Sequence, residues 1–505
     1  MDDDERYLDL AGWDDDDEAP RRSRLRGCIF LGVTLILIAA LAGSSVIAWF
    51  VVTHRETAES LVRESAGLAP VSTSPPRQPT AAPATVVAAL PTAAPTAALE
   101  STPDGPVINR IVLINANNQV ETLSPTGEDR RVLTRATDET FFQYPTWSPA
   151  GDRVAVIGSD MGGSGIYVLP DTEGIGKLEE RGVYFSVNET PFYLYWSPDS
   201  QNLAFLANQS RNEMGLKVVP GDGASDSRLL AKGTPFYWHW TDDGRQLLVH
   251  RGLDRSQGDL SLIDVEGETQ AGNLASPGAF QAPGIAPGGR YWAIAEEAQD
   301  GLSALVVVDT QTGERRPYEE AGSLALSWSP TRDQVAYING RVDGHPYWGP
   351  LQVLDVASGQ TRLLSRQTVL AFFWSPDGRS IAFITISRDE DDGGINAGLP
   401  AKERVLSRRA LPVQQGQGFL TLSVVDVDTG QGLRLIDFEP TASYIGQFLP
   451  FFDQYALSHR VWSPDSSAVV LPVREDSGNV VLIVPTRGGR PQRLAEGDIA
   501  FWSQR

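Results

Sequence analysis

From residue 107 onward the chain repeats one short phrase. Trp147-Ser148-Pro149-Ala150-Gly151, Trp196-Ser197-Pro198-Asp199-Ser200, Trp240-Thr241-Asp242-Asp243-Gly244, Trp328-Ser329-Pro330, Trp374-Ser375-Pro376-Asp377-Gly378 and Trp462-Ser463-Pro464-Asp465-Ser466 are each followed by an apolar run. A weaker copy is Ile285-Ala286-Pro287-Gly288-Gly289, and the chain ends on Phe501-Trp502-Ser503. Counted from Trp147 to Trp502 through Ile285, the intervals are 49, 44, 45, 43, 46, 88 and 40 residues. Proline presets the second position of a tight turn and glycine relieves its end, so each phrase joins two strands. A third strand ends in Asp and a Gly turn, as at Val307-Val308-Asp309 before Gly313 and Leu354-Asp355 before Gly359. The fourth is short, as at Arg362-Leu363-Leu364.

A period in the forties with four short strands predicts an all-β fold, a β-propeller whose blades are four-stranded sheets. The Trp-Ser-Pro-Asp-Gly repeats resemble those of the TolB-like β-propeller family, and of the N-terminal propellers of dipeptidyl-peptidase-IV-type enzymes. The resemblance covers 107–505 and implies that each repeat Trp lies on the innermost strand and packs between blades. Strands at Arg110–Asn115, Gln119–Ser124 and Arg130–Leu133 lack an inner strand before them, and Ile499–Ser503 is an inner strand with no blade after it. Pairing the two closes the ring and predicts eight blades. Seven is the alternative if the copy at 285 or the terminal strand pairs otherwise.

Ahead of the repeats the composition changes three times. Residues 1–26 carry ten acids and five arginines and read as an acidic cytoplasmic tail with a basic juxtamembrane end. Residues 27–53 carry no charge, which predicts a single transmembrane helix. Arg21, Arg22, Arg24 and Arg26 before it, against Arg55 after it, predict a cytoplasmic N-terminus and an extracytoplasmic propeller. A cleaved leader ending at Ala40-Leu41-Ala42 is the weaker alternative, because the apolar run continues to Val52. Residues 54–106 form a Pro/Ala/Thr-rich linker that spaces the domain from the membrane.

The 88-residue interval holds two insertions, 386–417 and 438–459. In a blade, the loop between the second and third strands and the link to the next blade emerge on one face. Both insertions are of these types, and so is Gly344-His345-Pro346-Tyr347-Trp348. Exposed aromatics favour binding. His345, Tyr347, Trp348, Tyr444, Phe448, Phe451 and Phe452 are therefore the candidate partner-binding residues. Phe142, Phe192 and Phe373 read instead as packing.

Chemistry leaves little trace in the sequence. There is no Gly-x-Ser-x-Gly elbow, phosphate loop or dinucleotide glycine pattern. The five histidines make no zinc motif, and Asp426/Asp428 before Gly430 reads as a turn in preference to a calcium loop. The only cysteine, Cys28, lies in the apolar segment. No catalytic residue, metal or cofactor is expected. The net charge of −22 opposes nucleic-acid binding. The leading expectation is a non-enzymatic, membrane-anchored binding or scaffold module for an envelope protein, peptide or glycan. A propeller-based hydrolase or lyase, drawing on acids at 389–392 and 437–439 with His345 and His459, is the alternative. A third reading is a sensing component whose acidic tail meets a cytosolic partner.

Overall fold

The computed structural model describes residues 108–135, 139–172, 176–210, 213–252, 258–272, 274–298, 302–340, 348–387 and 420–505. The chain divides into two units, Met1–Val86 and Val87–Arg505, and every described residue belongs to the second. The tail, the apolar span and the linker therefore lie outside the described residues. So do His345, Tyr347 and all but the first two residues of the 386–417 insertion. Among the described residues no helix is long and apolar enough to cross a membrane.

The described residues are nearly all β, arranged in antiparallel sheets in which neighbours in sequence are neighbours in space. Four sheets have four strands each, beginning at Phe141–Trp147, Pro191–Trp196, Phe236–Trp240 and Gly284–Ile285. A seven-stranded sheet runs from Leu324–Trp328 to Gly432–Phe438. Its 15-residue strand Gln360–Trp374 pairs back onto Gly349–Asp355 by its first part and forward onto Ser380–Ile386 by its second. The six-stranded sheet repeats this device across the termini. Gln492–Trp502 pairs with Gly478–Pro485, then with Ile111–Asn115 in the register Ile111↔Trp502 and Ile114↔Ile499. This is the closing pairing expected from the sequence, and with the repeated four-stranded meanders it is consistent with a β-propeller.

The repeat phrase explains the local geometry. In Ser375-Pro376-Asp377-Gly378 the Ser375 hydroxyl donates to Asp377 Oδ1 at 2.6 Å, and the same oxygen accepts the Arg379 amide at 3.0 Å. Gly378 closes the turn onto the Ser375 carbonyl at a φ of +67°, a conformation glycine adopts without strain. Ser463 with Asp465, Ser197 with Asp199 and Thr241 with Asp243 build the same bond. The Trp opening the phrase then reaches the preceding repeat. Trp196 Nε1 donates to the carbonyl of Thr146, Trp240 to Tyr195, Trp374 to Ser327 and Trp462 to Phe373, at 3.4, 3.3, 3.1 and 3.0 Å. In all four the acceptor directly precedes the earlier Trp. Trp147, Trp328 and Trp502 hold the same place without that bond. The indole thus fills space between blades and, in four of these seven, ties one inner strand to the next.

Candidate functional site

After Gly432–Phe438 the chain does not pass directly to the next inner strand. Residues 439–460 turn inward. Tyr444–Phe448 forms a π-helical turn, Leu449–Phe451 a 3-10 turn, and Phe452–Ser458 an α-helix, α1. Pro450 lacks an amide hydrogen and cannot continue a regular helix, which accounts for the change of pitch. Tyr444, Phe448 and Phe452 are spaced by four, with Tyr455 and His459 following, so one stripe of rings faces one side.

That stripe packs on strands of several sheets. Phe448 stacks on Phe373 at 5.7 Å and meets Phe501 at 5.4 Å, while Phe452 meets Phe372 edge-on at 5.1 Å. Tyr455 contacts Tyr144 and Tyr193. Hydrogen bonds repeat the pattern. Gln454 binds both backbone groups of Trp238, Oε1 accepting at 2.7 Å and Nε2 donating at 2.9 Å. Asp453 Oδ2 accepts the Ala282 amide, Gln447 donates to the Phe192 carbonyl, and Thr146 donates to the Ser458 carbonyl. The space the inner strands enclose, a channel in an open propeller, is here filled by the protein itself.

This corrects the sequence reading of three candidates. Tyr444, Phe448 and Phe452 are exposed by only 1, 0 and 2%, so they are interior packing groups and present nothing to a partner. Phe451 projects outward at 40% exposure, and Trp348 is half-buried against the core. The helical spacing of 444, 448 and 452 was the available sign that this insertion buries a face. Phe142 and Phe373 are buried and Phe192 is partly buried against them, as expected.

Of the residues named for hydrolytic chemistry, 389–392 and His345 lie outside the described residues, and the others have partners of their own. Asp437 accepts from Thr421 and Arg434, and Glu439 pairs with Arg474. His459 and Ser458 approach at 2.6 Å, the pairing a nucleophile and base would show. Both are enclosed, and burial pushes the imidazole down to about 3, too low for a useful base near neutrality. Asp426 accepts the Thr429 amide and hydroxyl, the bonds of a turn. Among the described residues no group of acids, histidines or cysteines could hold a metal.

A cleft of about 360 Å³ opens where the closing strand, the first described strand and the strand Phe141–Trp147 meet the inserted segment. Six of its residues matter most: Asn118, Phe141, Gln143, Ser443, Asn479 and Asp498. Asn118 follows the Ile111–Asn115 strand, Asn479 follows a second-to-third-strand turn, and Phe141 starts an inner strand. The cleft therefore lies on the loop face singled out by the topology. Two irregular strands shape it. Register slips between Ile114 and Asn115, where Gly497 approaches the Ile114 carbonyl too closely for a Cβ, and between Gln143 and Thr146. Tyr144, at a φ of +48°, sits within the second slip and donates to the Ser443 carbonyl. Its hydroxyl is held well above the usual range by burial, then by Tyr455 and the Asp498 charge.

Asp498 is the acid of the cleft. Its carboxylate accepts from Asn479 Nδ2 at 2.8 Å and from the Ser443 hydroxyl. Asn118 is spent on Thr140 and the Phe142 amide. Phe141 is 44% exposed and Gln143 is also exposed. None of the six is among the candidate residues read from the sequence. They fall in two groups, 118–143 and 443–498, at least 300 positions apart, and only ring closure brings the groups together.

No protein-family model and no curated protein sequence matches the chain. Solved structures similar to it include TolB from Acinetobacter baumannii, 13% identical, covering 78% of this chain and 83% of that one with a TM-score of 0.34. An oligogalacturonate lyase from Vibrio parahaemolyticus is 12% identical over 77% of this chain and 85% of that one, TM-score 0.37. The β-propeller domain of the Trilobed protease from Pyrococcus furiosus is 11% identical over 72% and 97%, TM-score 0.41. Scores this low carry neither a fold argument nor a functional one.

Proposed function

We propose that this chain is a non-enzymatic binding module: an eight-bladed propeller, held outside a membrane by residues 27–53, that engages an envelope partner through its loop face. The filled centre carries this reading. Residues 439–460 direct their aromatic stripe and most of their hydrogen-bonding side chains inward. A ligand is therefore left the loop face, where the cleft lies beside Gln143 and Asp498. Eight blades follow from taking the two shared strands, Gln360–Trp374 and Gln492–Trp502, as the outer strand of one blade and the inner strand of the next, and Trp462 as the inner position beside Ala468–Glu475.

Single cysteines bearing a cross-linker test the face. The native thiol, Cys28, is remote in sequence and is replaced by serine. Ala116→Cys and Gln143→Cys lie at the cleft, and Glu266→Cys and Arg487→Cys lie at exposed turns of the opposite face. One partner captured from 116 and 143, and none from 266 and 487, is the expected result. Capture from the opposite face alone, or equally from both, overturns the reading. Protease added to intact cells, or to spheroplasts where an outer envelope intervenes, is expected to cut the 66–106 linker and release a folded fragment. Release only after permeabilisation overturns the orientation.

A further inference from the structure

The cleft differs from a generic polar groove in its charge, and we propose that it receives a basic side chain, arginine by preference, from a peptide or protein partner. The proposal rests on the loop face being the binding face and adds the class of ligand.

Three observations carry it. First, among the described residues no lysine, arginine or histidine lines the cleft and no cation pairs with Asp498. Its two bonded neighbours, Asn479 and Ser443, are neutral donors that orient the carboxylate and leave its charge uncompensated. On the same face, Glu189 before an inner strand is matched by Lys217 and Asp259 at the start of a third strand by Arg251. Second, the outward ring of Phe141 stands in the same cleft. A guanidinium stacks on an aromatic face and forks onto a carboxylate, whereas an ammonium is a point charge without a flat face. Third, the free acceptors fit. The Gln143 side chain makes no hydrogen bond within the described residues and stands at the rim, available to a further guanidinium N–H or to a peptide amide. The volume of about 360 Å³ suits one large side chain with flanking backbone. Of the net charge of −22, residues 1–26 hold −5 and the remainder −17, which favours the approach of a cation to the propeller. A neutral sugar would use the ring and the amides but leave Asp498 unmatched.

Calorimetry on the full chain in detergent tests this with four probes: Ac-Gly-Arg-Gly-NH2, its lysine and citrulline counterparts, and a chitin tetrasaccharide. The arginine peptide is expected to bind best, and citrulline, which keeps the shape and loses the charge, about tenfold or more weaker. Asp498→Asn is expected to abolish that difference. Gln143→Arg, which supplies an internal cation without touching the Asn479 and Ser443 bonds, is expected to do the same, so a folding defect in one variant does not decide the matter. Phe141→Ala should erase the preference of arginine over lysine. Asp428→Asn, an acid of a distant turn, should change nothing, which separates the cleft from general attraction to an acidic protein. Equal binding of citrulline, insensitivity to Asp498→Asn and Gln143→Arg, absence of binding by every probe, or selective binding of the sugar each overturns the proposal. If the arginine peptide fails while cross-linking from 116 and 143 stands, the ligand class is wrong and the binding face survives. If the cross-linking fails as well, both fall.

Discussion

Asp453 is the residue with most at stake in the centre of the molecule. It is 1% exposed, accepts the Ala282 and Gln454 amides and, among the described residues, pairs with no cation. Burial pushes its carboxyl up to about 7. A carboxyl whose folded pKa exceeds its unfolded value near 4 contributes stability that is complete below that value and is lost as pH rises toward 7. By linkage the loss amounts to at most about 4 kcal/mol. The buried imidazoles act in the opposite sense. His459 is pushed down to about 3, and His239 and His250 to about 4. Each favours the fold above the usual histidine value near 6.5 and loses that contribution as pH falls through the folded value. Asp453→Asn keeps an acceptor for the Ala282 amide and removes the charge. Denaturant titration at pH 5 and pH 8 should show wild type losing stability at the higher pH relative to the variant, with the difference growing between. A difference independent of pH would mean that Asp453 does not titrate in this range.

At the scale of elements, the inserted segment and the repeat turns make different predictions. Phe448→Ala opens a cavity among Phe373, Phe501 and Tyr455 and should cost about 3–5 kcal/mol. Gln454→Ala leaves the buried Trp238 amide and carbonyl without side-chain partners and should cost about 1–3 kcal/mol. Phe451→Ala, on the outward side of the same segment, should lie within about 0.5 kcal/mol of wild type. Thermal melts of the three variants check the order, and equal losses would deny the segment an inside and an outside. The contrast also shows what the sequence carried. The Trp-Ser-Pro-Asp-Gly turns were legible because their chemistry is local: a hydroxyl, a carboxylate and a glycine within five residues. The sheets followed from them. The fate of 438–459 was not legible from its aromatics alone, since a ring that binds a partner and a ring that fills a channel are the same residue. Only the four-residue spacing distinguished them. The cleft was illegible for a further reason. Asp498, Asn479 and Gln143 are ordinary polar residues until closure brings three parts of the chain to one place.

For the whole molecule, closure and filling support each other. The first described strand is held by the last through the Ile111↔Trp502 register, the Ser503 amide on the Arg110 carbonyl and the Arg110 amide on Ser503 Oγ. The inserted segment is tied to the same seam, since Thr441 donates to the Asp498 carbonyl at 2.7 Å and Arg460 donates to Gln504. Removing residues 499–505 takes away the inner strand of the seam and, with Ile499, part of the cleft's lining. The truncated chain should unfold at lower denaturant and lose binding of the arginine peptide in the same titration. Hydrogen exchange across the folded domain decides whether the centre is filled. If residues 444–458 fill the space enclosed by the inner strands, their amides should exchange as slowly as those of the buried strand Leu420–Asp426, and far more slowly than the exposed turn at 310–314. Exchange of 444–458 at the rate of that turn would contradict the account, because the centre would then be open and the loop-face cleft would lose its claim to be the binding site.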